Sequence, residues 1–216
     1  MFLKDYYPKL KKKYSKIKFS GISFNSKFAK KNNIFFAIKG SKDDGTKYIK
    51  EAISKGCRII VSEKFNEKFS KGVLYLKNNN PRLLLSDISM KIFPKKPKNL
   101  IAVTGTNGKS SIADFYFQIF KINNKKAASI GTLGLKSNYL KKDLKNTTSD
   151  PIFLNKILNN LYKKGVKNVI LEASSHGLKQ HRLDGLRFDV GIFTNLSRDH
   201  LDYHKTYKDY LNSKLI

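Results

Sequence analysis

The sequence predicts an α/β chain in two parts. A small N-terminal α/β domain comes first, then a mainly parallel, doubly wound domain built around a phosphate-binding loop. Three observations carry this reading. Short apolar runs rich in β-branched and aromatic residues alternate with stretches of helical spacing, the pattern of strand–helix–strand units. A polar stretch with two prolines, Pro94-Lys95-Lys96-Pro97-Lys98, divides the chain. Directly after it, the apolar run Leu100-Ile101-Ala102-Val103 enters a glycine-bearing turn and then a helical pattern.

The elements follow in order. Ile34-Phe35-Phe36-Ala37-Ile38 reads as a buried strand, and Gly40 to Gly45 as a loop. From Tyr48 to Lys55 the spacing of Tyr48, Ala52 and Ile53 gives one helical face, with Gly56 as the stop. Arg58-Ile59-Ile60-Val61 and Val73-Leu74-Tyr75-Leu76 are two further strands. Pro81 to Phe93 reads as a helix carrying Leu84, Leu85, Ile88 and Ile92 on its apolar side. Residues 1–94 thus make the first domain and residues 98–216 the second. In the second, a helix runs from about Ser110 to Ile122 and another from Ile152 to Lys163. Val169-Ile170-Leu171 and Val190-Gly191-Ile192-Phe193 are short buried strands of a parallel sheet.

Composition bounds the function. The 216 residues suffice for two small cores. No run reaches the ~18 apolar residues of a membrane span, and Met1 to Tyr7 lack the apolar stretch of a signal peptide. A single cysteine, Cys57, excludes an intrachain disulfide, which together with these points suggests the cytoplasm. The net charge of +28 would suit a nucleic-acid binder. The lysines, however, are scattered along the whole chain rather than gathered on one element, which reads as compositional bias. A substrate rich in phosphates and carboxylates would also gain from that positive field.

The turn Thr104-Gly105-Thr106-Asn107-Gly108-Lys109-Ser110 follows a strand and opens a helix, the context that a phosphate loop requires. Glycines let the backbone approach phosphates, and the helix N-terminus adds partial positive charge. Lys109 would reach the β and γ phosphates, and the Ser110 hydroxyl would ligate magnesium. Val103 stands where the general motif has its first glycine. Glu172 follows a predicted strand, so it falls at the carboxyl edge of the sheet, where open α/β sheets bind ligands.

This loop variant resembles the ATP loop of the Mur ligases and the related folylpolyglutamate synthetases. Three stretches are similar to the Mur branch that adds the third amino acid: Asn146-Thr147-Thr148, Leu171-Glu172-Ala173-Ser174-Ser175-His176-Gly177-Leu178, and Phe193-Thr194-Asn195-Leu196-Ser197-Arg198-Asp199-His200-Leu201-Asp202-Tyr203-His204. The resemblance implies an ATP- and Mg2+-dependent ligase of peptidoglycan synthesis. Its substrates would be UDP-N-acetylmuramoyl-L-alanyl-D-glutamate and an amino acid, joined through an acyl phosphate. It further implies a UDP-binding first domain, an ATP-binding central domain, a monomer, and no nucleic-acid or membrane partner.

For nucleotide, the family pattern maps onto Thr106, Asn107, Gly108, Lys109, Ser110, Ser111 and Ile112. For metal it maps onto Ser110, Glu172, His200 and Lys214, the last as a carbamylated lysine; Lys109, His200 and Lys214 would serve the chemistry. For the UDP end it maps onto Phe24, Ser26, Ser41, Lys42 and Asp43, with Asn25 and Lys27 replacing the family's Asp and Arg. A lysine there loses a bidentate fork. For the muramoyl peptide it maps onto Asn146, Thr147, Thr148, Ser174, Gln180 and Arg182, while His176 and His204 could order a loop. The family's whole chain is about twice this long, so these 216 residues alone are expected to be inactive. Another ligase of the superfamily, or a basic non-enzymatic nucleic-acid binder, are the alternatives.

Overall fold

In a computed structural model of the chain, residues 1–7, 10–40 and 43–215 are described. They form two compact units, Met1–Lys91 and Ile92–Ile216.

The first unit contains β1 (Gly21–Ser23), β2 (Asn33–Phe36), α1 (Ile49–Ser54), β3 (Ile59–Ser62), β4 (Lys68–Ser70), β5 (Val73–Lys77) and α2 (Pro81–Ile92). Its sheet order is β1-β2-β3-β5-β4, parallel except for β4. Every residue of β2 and β3 is buried, as continuous apolar runs require when both faces of a sheet are covered. Phe35, Ala37, Ile60 and Val73 pack with Ala52 of α1. The alternate residues Ile34, Phe36, Ile59, Val61, Leu74 and Leu76 are also buried, as are Leu84, Leu85 and Ile88 of α2. Burying each such aliphatic side chain contributes about 1.5–3 kcal/mol.

Tyr48 departs from the expected helical face. It ends a 3-10 turn, Gly45–Tyr48, and is 41% exposed. Asp44 caps that turn by accepting from Thr46 N–H (3.0 Å), so the α-helix starts one residue later. Gly56 closes α1 with φ +90°, the left-handed conformation glycine adopts without strain.

The second unit contains β6 (Asn99–Thr104), α3 (Lys109–Ile122), β7 (Ala127–Gly131), β8 (Gly134–Ser137), β9 (Lys141–Lys142), α4 (Pro151–Lys163), β10 (Asn168–Glu172), α5 (Ser175–Lys179), β11 (Val190–Phe193), α6 (Leu201–His204) and α7 (Tyr207–Asn212). Strand order is β11-β6-β10-β7-β8-β9. The first four strands are parallel; β8 and β9 add an antiparallel edge. One face packs α4 through Leu154, Leu158 and Leu161 against Leu100, Ala128, Val169 and Leu171. The other packs α3 through Ala113 against Val103 and Ile170. Asp150 caps α4 by accepting from Phe153 N–H, and Pro151 takes the first position, where a missing N–H costs nothing.

The proline stretch belongs to the second unit, not to a free linker. Lys95 N–H donates to Asn159 Oδ1 of α4 (3.3 Å), and the Lys96 ammonium donates to Phe93 O. Burial holds the Lys96 ammonium down at about 8, so the unfolded chain binds more protons between there and the ordinary 10.5. Stability should therefore rise as pH climbs through that window. Urea denaturation at a series of pH values checks this: Lys96→Met should flatten the rise.

The strand register brings the sheet to a point. Glu172 of β10 pairs with Val103 of β6, and Phe193 of β11 pairs with Thr104. The carboxyl ends of three adjacent strands thus converge where the phosphate loop begins.

Candidate functional site

A cleft of about 250 Å³ opens at that convergence. Its lining runs from Gly105 to Ser111 and includes Thr132, Thr147, Glu172, Ser174, Ser175, His200, Tyr210 and Lys214. Strand β6 ends, the chain turns through Gly105 (φ +139°) and Gly108 (φ +84°), and α3 starts at Lys109. Among the described residues no side chain caps α3, so its first-turn N–H groups are left for a ligand in the cleft.

Glu172 ends β10 with its carboxylate buried, 2% exposed. It accepts from Ser110 Oγ (2.9 Å), Thr132 N–H (2.9 Å) and Thr132 Oγ1 (3.2 Å), so among the described residues its donors are uncharged. The space for it exists because residue 131 is glycine: a Cβ there would stand 2.0 Å from Glu172 Oε1.

Lys109 folds back over the loop, its Nζ donating to Gly105 O (2.8 Å) and Thr106 O (2.7 Å). Lys214 Nζ donates to the same Gly105 O (2.8 Å) and packs 4.6 Å from the Tyr210 ring centroid. Two ammonium groups therefore crowd one carbonyl oxygen. Burial, and then the neighbouring Lys109, lower the Lys214 ammonium to about 8. Burial also lowers Lys109, with Glu172 and Asp199 acting the other way.

His200 lines the cleft with φ +52°. His176 stacks on Tyr203 (centroids 4.0 Å apart) and meets His200 edge-on at 4.9 Å. His204 is fully buried against Tyr203 and Tyr210, and neither ring nitrogen has a hydrogen-bond partner among the described residues. Burial lowers both His176 and His204, while Asp209, 3.7 Å from His204 Nδ1, acts the other way on His204. Among the described residues no set of three His, Cys, Asp or Glu side chains could hold a metal ion unaided. A cation here would need oxygen from a ligand as well.

Of the residues expected from the sequence, the structure gathers Thr106, Asn107, Gly108, Lys109, Ser110, Ser111, Thr147, Glu172, Ser174, His200 and Lys214 in this cleft. Ile112 is not among its lining: its N–H closes the first turn on Gly108 O (3.0 Å), and its side chain packs against the cluster of Val103, Ala113 and Ile170. Asn146 is exposed and also outside the lining. Thr148 is buried, its hydroxyl donating to Glu172 O (2.7 Å). Arg182 donates to Thr148 O and to Gln180 Oε1, while Gln180 Nε2 donates to Tyr203 OH (3.1 Å). None of these three is among the residues that line the cleft.

In the first unit a separate cleft of about 460 Å³ holds Phe24, Ser26 and Asp43, with Asn25, Lys27, Tyr48 and Glu51. Tyr48 OH donates to Asp43 Oδ2, and Lys47 pairs with Asp43 (3.3 Å). Ser41 and Lys42 lie outside the described residues. Sequence reasoning missed Tyr48 and Glu51 here, and Thr132, Ser175 and Tyr210 in the other cleft. Thr132 could have been found, since it follows β7 as Glu172 ends β10, but β7 carries too little apolar signal to be read as a strand.

A family model described as the Mur ligase middle domain matches residues 103–216, and one described as the Mur ligase family, catalytic domain, matches residues 18–90. A UDP-N-acetylmuramoyl-L-alanyl-D-glutamate--2,6-diaminopimelate ligase of Rickettsia montanensis is 42% identical over 210 residues, covering 95% of this chain and 43% of its own. The equally named protein of Mesorhizobium japonicum is 42% identical over 196 residues, covering 91% and 40%. A solved structure of a ligase of that name has a TM-score of 0.81 at 28% identity, covering 99% of this chain and 44% of that one. MurF ligase from Thermotoga maritima, solved in complex with ADP, shares the fold with a TM-score of 0.60 at 20% identity, covering 90% and 42%. The chain thus spans less than half the length of each of these relatives.

Proposed function

The chain belongs to the Mur ligase family, and from that premise we propose that it supplies the nucleotide-binding and UDP-substrate-binding parts of a peptidoglycan-precursor ligase. That ligase adds an amino acid to UDP-N-acetylmuramoyl-L-alanyl-D-glutamate; the names of the relatives supply 2,6-diaminopimelate as the amino acid. One observation carries the reading. Lys109, Ser110, Glu172, His200 and Lys214, drawn from distant parts of the sequence, line a single cleft at the start of α3.

The nucleotide is ATP, held by the first-turn amides of α3 and by Lys109. The residues also fit magnesium. A buried carboxylate and a hydroxyl oxygen 2.9 Å apart, Glu172 and Ser110, are the oxygen donors a hard cation takes. Magnesium, when bound, would neutralise phosphate oxygens. His200 on the cleft wall, and Lys214 as a carbamate, would serve a second ion. Carbamylation takes two protons from the Lys214 ammonium, one to free the amine and one as its nitrogen bonds to carbon dioxide, turning the repulsion between Lys214 and Lys109 into attraction.

The reaction needs no side-chain nucleophile. A terminal carboxylate oxygen of the UDP substrate bonds to the γ phosphorus as the bond to ADP breaks. The incoming amine then bonds to the acyl carbon, phosphate leaves, and the amine gives up a proton. The chain's residues contribute position and charge neutralisation. The UDP end lies in the first unit, near Phe24, Ser26 and Asp43. Nothing in this reading calls on nucleic acid or a membrane, and no described helix is long and apolar enough to cross one. It treats the protein as a cytoplasmic monomer. The two clefts are expected to bind ATP and the UDP end of the substrate.

Calorimetric titration of the chain with ATP, with and without magnesium, tests the reading. Saturable binding strengthened by magnesium is expected, and Glu172→Gln should weaken the magnesium effect by about tenfold or more. Absence of any saturable ATP binding would refute it. Steeply salt-dependent DNA binding in its place would favour the nucleic-acid alternative.

A further inference from the structure

The phosphate loop has no regular secondary structure of its own between Thr104 and Lys109, yet it is held firmly by the segment that follows β11. Asn195 grips the Asn107 residue from both sides. Its Oδ1 accepts from Asn107 N–H (3.0 Å), and its Nδ2 donates to Asn107 O (3.2 Å). Thr194 Oγ1 donates to that same carbonyl at 2.6 Å. Thr106 N–H donates to Asn195 O (3.0 Å), and Ser197 N–H donates to Thr106 Oγ1 (2.9 Å). Loop and segment also fit sterically: a Cβ on Gly105 would stand 1.9 Å from Thr194 Oγ1.

We propose that Thr194 and Asn195 are positioning residues that cast the phosphate loop and thereby set its affinity for a nucleoside triphosphate. This rests on the nucleotide reading of the cleft. The bonded N–H groups of Thr106 and Asn107 are turned toward Asn195, so binding falls to the α3 first turn, Lys109 and Ser110. Those groups converge only while the loop leading into them keeps its shape. A loop already held in its bound form loses less freedom when phosphate arrives, so the affinity it yields is higher. The same segment runs on to Asp199 and His200, so strand β11 aligns the loop with the far wall of the cleft.

The test is ATP affinity in the presence of magnesium for the unaltered chain, Thr194→Val, Thr194→Ser and Asn195→Ala. Hydrogen exchange at Thr106 and Asn107 is followed alongside. Removing the hydroxyl (Thr194→Val) or the carboxamide (Asn195→Ala) should weaken binding about three- to tenfold, the size expected for losing a hydrogen bond to the loop. Thr194→Ser should stay within about twofold, because it keeps the donor. Exchange at Asn107 should quicken in Asn195→Ala. Should Asn195→Ala fail to fold, the near-isosteric Thr194→Val and its Thr194→Ser counterpart still decide. Unchanged affinity in Thr194→Val, or equal losses in Val and Ser, overturns the inference while leaving the nucleotide reading intact. No ATP binding by the unaltered chain overturns both.

Discussion

Lys109→Ala should weaken ATP binding to the chain by about 10- to 100-fold, the loss expected for one or two charge-assisted hydrogen bonds. The Lys109 Nζ already sits above the loop, anchored by Gly105 O and Thr106 O at 2.8 and 2.7 Å. It therefore needs no search to meet phosphate, and its entropy cost on binding is small. Lys109→Arg should not restore affinity, because a planar fork does not fit a point contact between two carbonyls of one tight turn. The substitution has a second consequence. Lys109 is part of what holds the Lys214 ammonium down at about 8, so in Lys109→Ala that group should move back toward the ordinary lysine value. Calorimetry of the two variants measures the first effect, and NMR titration of the lysine side chains measures the second. Full affinity in Lys109→Ala would mean that the cleft binds ATP elsewhere or not at all.

Gly131→Ala should destabilise the second unit by roughly 3 kcal/mol. The added Cβ would stand 2.0 Å from Glu172 Oε1, 2.3 Å from its Cδ and 2.5 Å from its Cγ. Nothing can give cheaply. Glu172 is buried on a central strand, and its oxygens are committed to Ser110 and Thr132. Gly131 itself ends a strand buried along its whole length. Relief requires either a displaced carboxylate, stripped of its hydrogen bonds, or a shift between β7 and β10. Gly191→Ala is the control. It lies in β11, and a methyl group added there would meet nothing within 4 Å, so its effect should stay within about 0.5 kcal/mol. Urea denaturation of the pair decides. Equal stability of the two variants would show that the Glu172 carboxylate is free to move.

Much of the fold was legible because its central strands are buried on both faces and so read as unbroken apolar runs. Strands β2, β3, β5 and β10 announce themselves this way; β6 and β11 also read as apolar runs, although β6 is only partly buried and β11 is an edge whose Val190 and Phe193 are 48% and 43% exposed. The missed strands fail for distinct reasons. β1 is three residues long, and every residue of β4 is exposed, so neither has a periodic signal. β7 is Ala-Ala-Ser-Ile-Gly, fully buried but poor in the residues that favour strands. Its small side chains make room for α3 and Glu172, which is a tertiary demand that no local pattern encodes. In the cleft, Lys109, Ser110 and Glu172 could be proposed because each stands next to a strong strand. Lys214 carries no local mark among 44 basic residues; its burial follows only from α7 folding back onto the loop. Arg182 and Gln180 likewise carry no local mark: besides bonding to each other, they are held by Thr148 and Tyr203, which come from distant parts of the chain.

The pairing of Glu172 with Val103 also fixes a distance. Because β10 lies hydrogen-bonded between β6 and β7, the span from carboxylate to phosphate loop is a lattice spacing of the sheet rather than a property of any connecting segment. Outer surfaces can then drift freely in composition, even to the lysine excess of this chain, without the ruler at its centre changing length.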